Sequence, residues 1–274
     1  MQKQKIKKFI FNPIYDNLKK QIRNKLKKVK NKKIETKEYR YSGEVKNNLP
    51  NGWGTMVCIT PKGIDDQSIY GEFKNGKLNG EGYIKYKHDL EYAGYFNNNE
   101  QYKGRAIWGK RKSKKDRYFF GYEIDFNKNK KIGSAIKFES EPVKNTNVPF
   151  ITYEGSVNDS IDANGHGTAY HAVGWICEGH WLHNFAHGEC KVQYKNEYYE
   201  GLWKFGKLEK LTLEGVWKNN DFTIIKDKKN IEKNYIPWLF KKPNVLWILN
   251  VEHNTDYSGY AEVRRVIRDV YGGN

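Results

Sequence analysis

A chain of 274 residues, 38% hydrophobic but 15% aromatic, is long enough for one or two domains. It is too poor in aliphatic side chains for a large globular core. Three cysteines (Cys58, Cys177, Cys190) exclude a disulfide framework and point to a reducing compartment, and no run approaches the roughly 18 apolar residues of a transmembrane helix.

The formal charge of +17 is concentrated at one end, because residues 1–33 hold 13 Lys/Arg against a single acid, Asp16. Between Pro13 and Lys30, Ile14, Leu18, Ile22, Leu26 and Val29 recur at near-helical spacing among lysines. That pattern predicts an amphipathic basic helix within an N-terminal arm over residues 1–38. Lys19, Lys20, Arg23, Lys27 and Lys28 are its candidate partner-binding side chains. An anionic membrane surface, nucleic acid, an acidic protein partner and a targeting segment all suit such an arm. So does a plain solvated tail.

From Tyr39 onward a self-similar pattern sets in. Tyr41-Ser42-Gly43 is answered by Gly52-Trp53-Gly54, and Tyr70-Gly71 by Gly80-Glu81-Gly82. Tyr153-Glu154-Gly155 is answered by Gly165-His166-Gly167. Weaker copies begin at Tyr92 (with Gly94), Phe119, Cys177 (with Trp181), Tyr199 (with Gly201) and Leu213. Large and small residues alternate as in a strand. Asn75-Gly76 and Asn79-Gly80 supply the positive φ of tight reversals. Each unit therefore reads as a β-hairpin that must stack on neighbours to bury its apolar face. The glycine after each Tyr is expected to admit an aromatic ring of the adjacent hairpin. Such a body, over residues 39–220, carries its own strand pattern and is expected to fold without the arm.

These residues resemble the MORN repeat (membrane occupation and recognition nexus), Tyr-x-Gly-x-Trp/Tyr/Phe followed by Gly-x-x-x-Gly-x-Gly, over roughly residues 39–217. The resemblance implies an all-β repeat fold, an elongated single-layer stack of hairpins forming a MORN solenoid. It also implies a role like those of MORN proteins in radial-spoke heads, junctional membrane proteins and cytoskeletal scaffolds. Enzymes of this family carry a separate catalytic domain, and fewer than 60 residues follow Trp217.

Beyond the repeats, residues 221–274 are expected to form a polar linker, a strand at Val245–Leu249 and a helix from Ser258 to about Tyr271, together capping the stack. Trp238, Phe240 and Trp247 are candidate partner anchors there. Catalytic signatures are missing, with no GxSxG elbow and no P-loop. Cys177, His183, His187 and Cys190 could meet a zinc ion, yet Cys177 stands in a Tyr slot and Cys190 in a Gly slot, and no CxxC pair supports a metal. The chain is accordingly expected to be a non-enzymatic accessory subunit of a larger intracellular assembly, mitochondrial or axonemal, with no cofactor, metal or small-molecule substrate. A peripheral anionic-membrane module and, less favoured, a ribosome- or RNA-associated protein are the alternatives.

Overall fold

In a computed structural model, the described residues are 10–59, 65–86, 90–111, 117–127, 133–140, 149–170, 174–232 and 237. The chain divides into two compact units, the first over residues 8–151 and the second from residue 152 onward. The first opens with a helix, α1 (Pro13–Leu26), followed by β1 (Lys32–Glu35), β2 (Tyr39–Lys46), β3 (Leu49–Ile59), β4 (Asp65–Lys74), β5 (Lys77–Tyr86), β6 (Leu90–Asn97), β7 (Glu100–Arg111), β8 (Arg117–Phe126) and β9 (Gly133–Ser140). Each strand pairs antiparallel with the next. The second unit holds β10 (Pro149–Val157), β11 (Ala163–Tyr170), β12 (Trp175–Leu182), β13 (Phe185–Tyr194), β14 (Glu197–Lys204), β15 (Lys207–Lys218) and β16 (Asp221–Lys226), again antiparallel in chain order. The all-β open-sheet architecture read from the repeats is therefore present in both units.

Tight turns enforce this order. Asn47-Asn48, Asn75-Gly76, Asn98-Asn99 and Asn219-Asn220 all hold positive φ, the backbone of two-residue hairpin loops whose twist matches the strands. Asn79-Gly80 is not a turn but lies inside β5. Gly80 there has φ +117°, as Gly52 (+96°) and Gly165 (+101°) have at the same repeat position. Each sits by a register shift, at Gly71/Phe73, Gly43/Val45 and Gly155/Val157 respectively. The first Gly of each Gly-x-Gly thus serves a bulge, which a side chain in that conformation would strain.

The aromatic slots explain the second Gly. Tyr41, buried, lays its ring over Gly43 and Gly54, and Tyr153 does the same over Gly155 and Gly167. The ring comes from the glycine's own hairpin, not from the adjacent one as the sequence pattern implied. Its hydroxyl then donates to the carbonyl three residues on, Tyr41 to Glu44 at 2.9 Å and Tyr153 to Ser156 at 2.8 Å. Both acceptors lie at the bulge, where the ladder is interrupted, so the phenol satisfies an oxygen the sheet leaves over. Neighbouring-hairpin rings occur elsewhere, as where Phe96 of β6 covers Gly82 of β5.

One repeat residue is misplaced by the sequence reading. Tyr41, Met56, Ile69, Ile84 and Tyr92 stand opposite one another across β2 to β6, so Ile69 fills the Tyr slot. Tyr70, one residue on, faces the other side and packs against α1. The motif at Tyr70 has lost the spacer between Tyr and Gly, and a one-residue slip in a strand reverses the face. At Leu213 a register shift in β15 likewise turns Leu213 to the face of Glu200, while Leu211 takes the buried position beside Gly201.

The arm and the linker also differ from expectation. α1 keeps the expected start at Pro13, and its Tyr15, Leu18 and Ile22 are buried with Tyr83 and Ala93. Residues 13–35 therefore belong to the first unit's core and sheet rather than to a separate arm. Fully burying each of the three helix side chains stabilises by about 1.5–3 kcal/mol, more than lysine repulsion within the helix can offset. A chain starting near Lys37 is consequently expected to expose Tyr83 and Ala93 and to bind a hydrophobic dye. Cooperative unfolding with no dye binding would contradict the helix's place in the core. Asp221–Lys226 is a strand rather than a linker, because Asn219-Asn220 turns the chain back on β15 and Phe222-Thr223-Ile224-Ile225 has strand propensity. The strand at Val245–Leu249, the helix at Ser258–Tyr271, Trp238, Phe240 and Trp247 lie outside the described residues.

Candidate interaction surface

α1 is built to lie on a sheet. Asn12 caps it by accepting from the Ile14 N–H at 3.1 Å, Pro13 opens its first turn, and Asp16 and Lys25 suit the dipole at its two ends. Tyr15, Leu18 and Ile22, spaced by three and four, form one stripe. They lie on the sheet face that carries Tyr70, Tyr83, Ala93, Arg105 and Glu123, which are mutually opposed across β4 to β8.

Polar clamps flank that stripe. Lys19 Nζ reaches Glu91 Oε2 at 2.7 Å, and Lys25 Nζ reaches Glu81 Oε2 at 2.8 Å. Lys19 also sits 5.0 Å from the Tyr83 ring centre, and Lys25 4.3 Å from that of Trp53, distances at which a ring quadrupole attracts a cation. Burial pushes the Glu91 carboxyl upward, but hydrogen bonds from Lys19 and Tyr83 outweigh it and hold the group below its ordinary value.

The N-terminal end is held by Arg105, which is 3% exposed. Its Nη2 donates to Asp16 Oδ1 at 2.6 Å, its Nη1 donates to the Asn12 carbonyl at 3.3 Å, and Glu123 Oε1 lies 3.8 Å from Nη1. The Asn12 N–H donates back to Glu123 at 3.4 Å. The guanidinium also lies 4.9 Å from the Phe11 ring centre and 5.6 Å from that of Tyr15. Burial raises the Glu123 carboxyl above its ordinary value despite Arg105. Burial, then the charges of Glu123 and Asp125, push the Tyr15 phenol up to about 12.

The five basic residues singled out in the sequence thus divide. Lys19 is engaged with Glu91, and exposed Arg23 lies 5.9 Å from the Tyr83 ring centre. Lys20, Lys27 and Lys28 are exposed and make no ion pair among the described residues. Lys30, Lys32 and Lys33 are also exposed, Lys32 and Lys33 on opposite faces of β1. Sequence reasoning missed Arg105 and Lys25 as the residues that seat the helix. The sequence carried no signal for them, since Asp16 is 65% exposed and would be solvated without a partner, and Lys25 meets Glu81 on a distant strand.

In the first unit Tyr41 and Tyr92 lie on the face away from α1, and in the second unit Tyr153 and Tyr199 are among the largest fully buried side chains. Trp181 is buried and its Nε1 donates to the Gly167 carbonyl at 3.0 Å. The His/Cys set is not drawn together. The free thiols of Cys177 and Cys190 lie together on the buried face; their hydrogen bond, then burial, raises the Cys177 thiol, while the same bond lowers that of Cys190 against its burial. His166 and His180 sit ring to ring at 5.7 Å on the other face. His183 lies in a turn, and His187 packs against Phe205. Among the described residues no group of three or more such side chains is placed to hold a metal ion, and no helix is long and apolar enough to cross a membrane. The chain matches no protein-family model and no curated protein.

Proposed function

We propose that the chain is a non-enzymatic scaffold of the MORN type, an accessory subunit that docks into a larger protein complex. The observation that carries this reading is how α1 is used. Its apolar stripe is buried on the sheet while Lys20, Lys27 and Lys28 face outward. An interfacial membrane helix inserts its apolar face among acyl chains, and here that face is occupied. What remains is a fixed array of cations on a folded body, suited to an acidic patch on a partner protein. A pre-ordered array docks without the entropy cost of ordering a disordered tail. The Tyr-over-Gly packing shared by β2–β3 and β10–β11 supports reading these hairpins as copies of one repeat. A stacked solenoid capped by the C-terminal segment, in a mitochondrial or axonemal assembly, is the extension that the resemblance favours.

The test is recovery of the tagged full chain from its native source. A defined set of proteins should co-purify at moderate salt and weaken without dissociating at about 0.5 M, where exposed charge pairs are largely screened and apolar contacts of the sheet remain. Lys20→Glu, Lys27→Glu and Lys28→Glu together should lower that recovery by about ten-fold and leave thermal unfolding unchanged, since exposed positions tolerate substitution. Recovery as a free monomer that binds anionic vesicles, with no protein partner at moderate salt, would overturn the scaffold reading.

A further inference from the structure

The hairpin of β12 and β13 departs from two others at two positions at once. In β2–β3 the buried Tyr41 stands two residues before Gly43, which opposes Gly54. In β10–β11 Tyr153 stands likewise before Gly155, opposite Gly167. Cys177 takes the Tyr place in β12, and Cys190 takes the place of the second Gly, opposite Gly179. A Cβ at Gly54 or Gly167 would collide with the Tyr ring of its own hairpin. With that ring exchanged for a thiol, the side chain of Cys190 has room, and the two sulfurs meet where a phenol lies elsewhere. Cys190 also takes over the phenol's hydrogen bond. Tyr41 donates to the carbonyl three residues on, at Glu44, and Cys190 Sγ donates at 3.3 Å to that of His180, three residues after Cys177.

A tyrosine and a glycine fill this space in the other two hairpins, so packing alone does not call for two thiols. We propose that Cys177 and Cys190 form a modification site, a dithiol that hydrogen peroxide converts to a disulfide linking β12 to β13. The hydrogen bond from Cys177 lowers the Cys190 thiol against its burial, so Cys190 supplies the nucleophilic thiolate. That thiolate attacks one peroxide oxygen, the O–O bond breaks, and the departing hydroxide takes up the proton that Cys190 released. The sulfur of Cys177 then attacks the sulfenic acid at Cys190, and its proton leaves with the displaced hydroxide as a second water. Two thiols are oxidised and one peroxide is reduced to two waters. Cys177 is 0% and Cys190 2% exposed, so the reaction runs through local opening of the hairpin, and a peroxide little larger than water is the oxidant that fits. Disulfides in a reducing compartment are mostly transient and redox-sensing. The site stands whether or not the scaffold reading does.

Peroxide treatment of the full, folded chain tests the proposal, with remaining thiols blocked before digestion and mass spectrometry. A linked Cys177–Cys190 peptide should appear and should vanish on reduction. In Cys177→Ser, where the disulfide cannot form, a sulfenic-acid probe such as dimedone should label Cys190. That labelling should exceed the labelling of Cys177 in Cys190→Ser by at least about ten-fold, since the thiolate is the attacking form. Cys177→Tyr with Cys190→Gly, which restores the pattern of β2–β3, should fold and give no linked peptide. Failure of this variant to fold would overturn the equivalence of the positions on which the proposal rests. Equal labelling of the two serine variants would overturn the order of attack. No linked peptide from the folded chain, or one that forms only in denaturant, would overturn the site itself. So would links from Cys58 as frequent as those between Cys177 and Cys190.

Discussion

Arg105→Ala should destabilise the first unit by about 3 kcal/mol, the cost of leaving a buried charge without its partner. Asp16 can turn to water, because its side chain is 65% exposed, but Glu123 cannot, at 15%. With the guanidinium gone, the Glu123 carboxyl loses the one charge that lowers its pKa, so that pKa rises further above the ordinary 4.5. A carboxyl whose folded pKa is raised stabilises the fold when protonated and loses that contribution as pH rises through the folded value. The deficit of the variant should therefore be largest near neutral pH and shrink as pH falls toward 4.5. Denaturant unfolding at several pH values, with amide exchange of α1 as a local probe, reads both effects. Arg105→Met with Glu123→Met should recover much of the loss, because a well-packed apolar pair replaces a buried ion pair at little cost. A deficit independent of pH, with α1 amides still protected, would show that Arg105 does not anchor the helix.

Gly71→Val should cost about 3 kcal/mol, near the upper end for overpacking, whereas Glu72→Val should stay within about 0.5 kcal/mol, as exposed substitutions do. A Cβ at Gly71 would lie 2.5 Å from the Glu81 carbonyl oxygen, 2.8 Å from Leu78 Cδ1 and 2.9 Å from the Gly82 Cα. Two of these neighbours are backbone of the paired strand β5 and cannot yield without breaking the ladder. Glu72 is exposed at the bulge. Leu78→Ala added to Gly71→Val should restore little, since the backbone contacts remain. Equal thermal shifts for the two single variants would contradict the inward facing of Gly71 and the outward facing of Glu72.

Much of the hairpin order was legible in the sequence, because its signals are local. A pair such as Asn98-Asn99 or Asn75-Gly76 reverses the chain wherever it occurs, and Tyr41 covers Gly43 from two residues away on the same strand. The amphipathic stripe of α1 was legible for the same reason, since its period is a property of fourteen consecutive residues.

Register was less so. The Tyr70 motif reads like a full repeat, but side chains alternate with a period of two. The missing spacer therefore put Ile69 in the slot and Tyr70 under the helix. The strand at Asp221–Lys226 was hidden behind its charged flanks, although its turn and its β-branched residues were present. The seat of α1 was not legible at all. Arg105 occupies a repeat position where any side chain fits, and nothing nearby in the sequence marks it as buried. Its role depends on the Asn12 N–H meeting Glu123, 111 positions away. Local periodicity thus determined that this chain would make hairpins and a basic amphipathic helix. Only tertiary structure decided which sheet face the helix covers and which of its cations remain outward, because contacts between distant segments leave no periodic trace in either one.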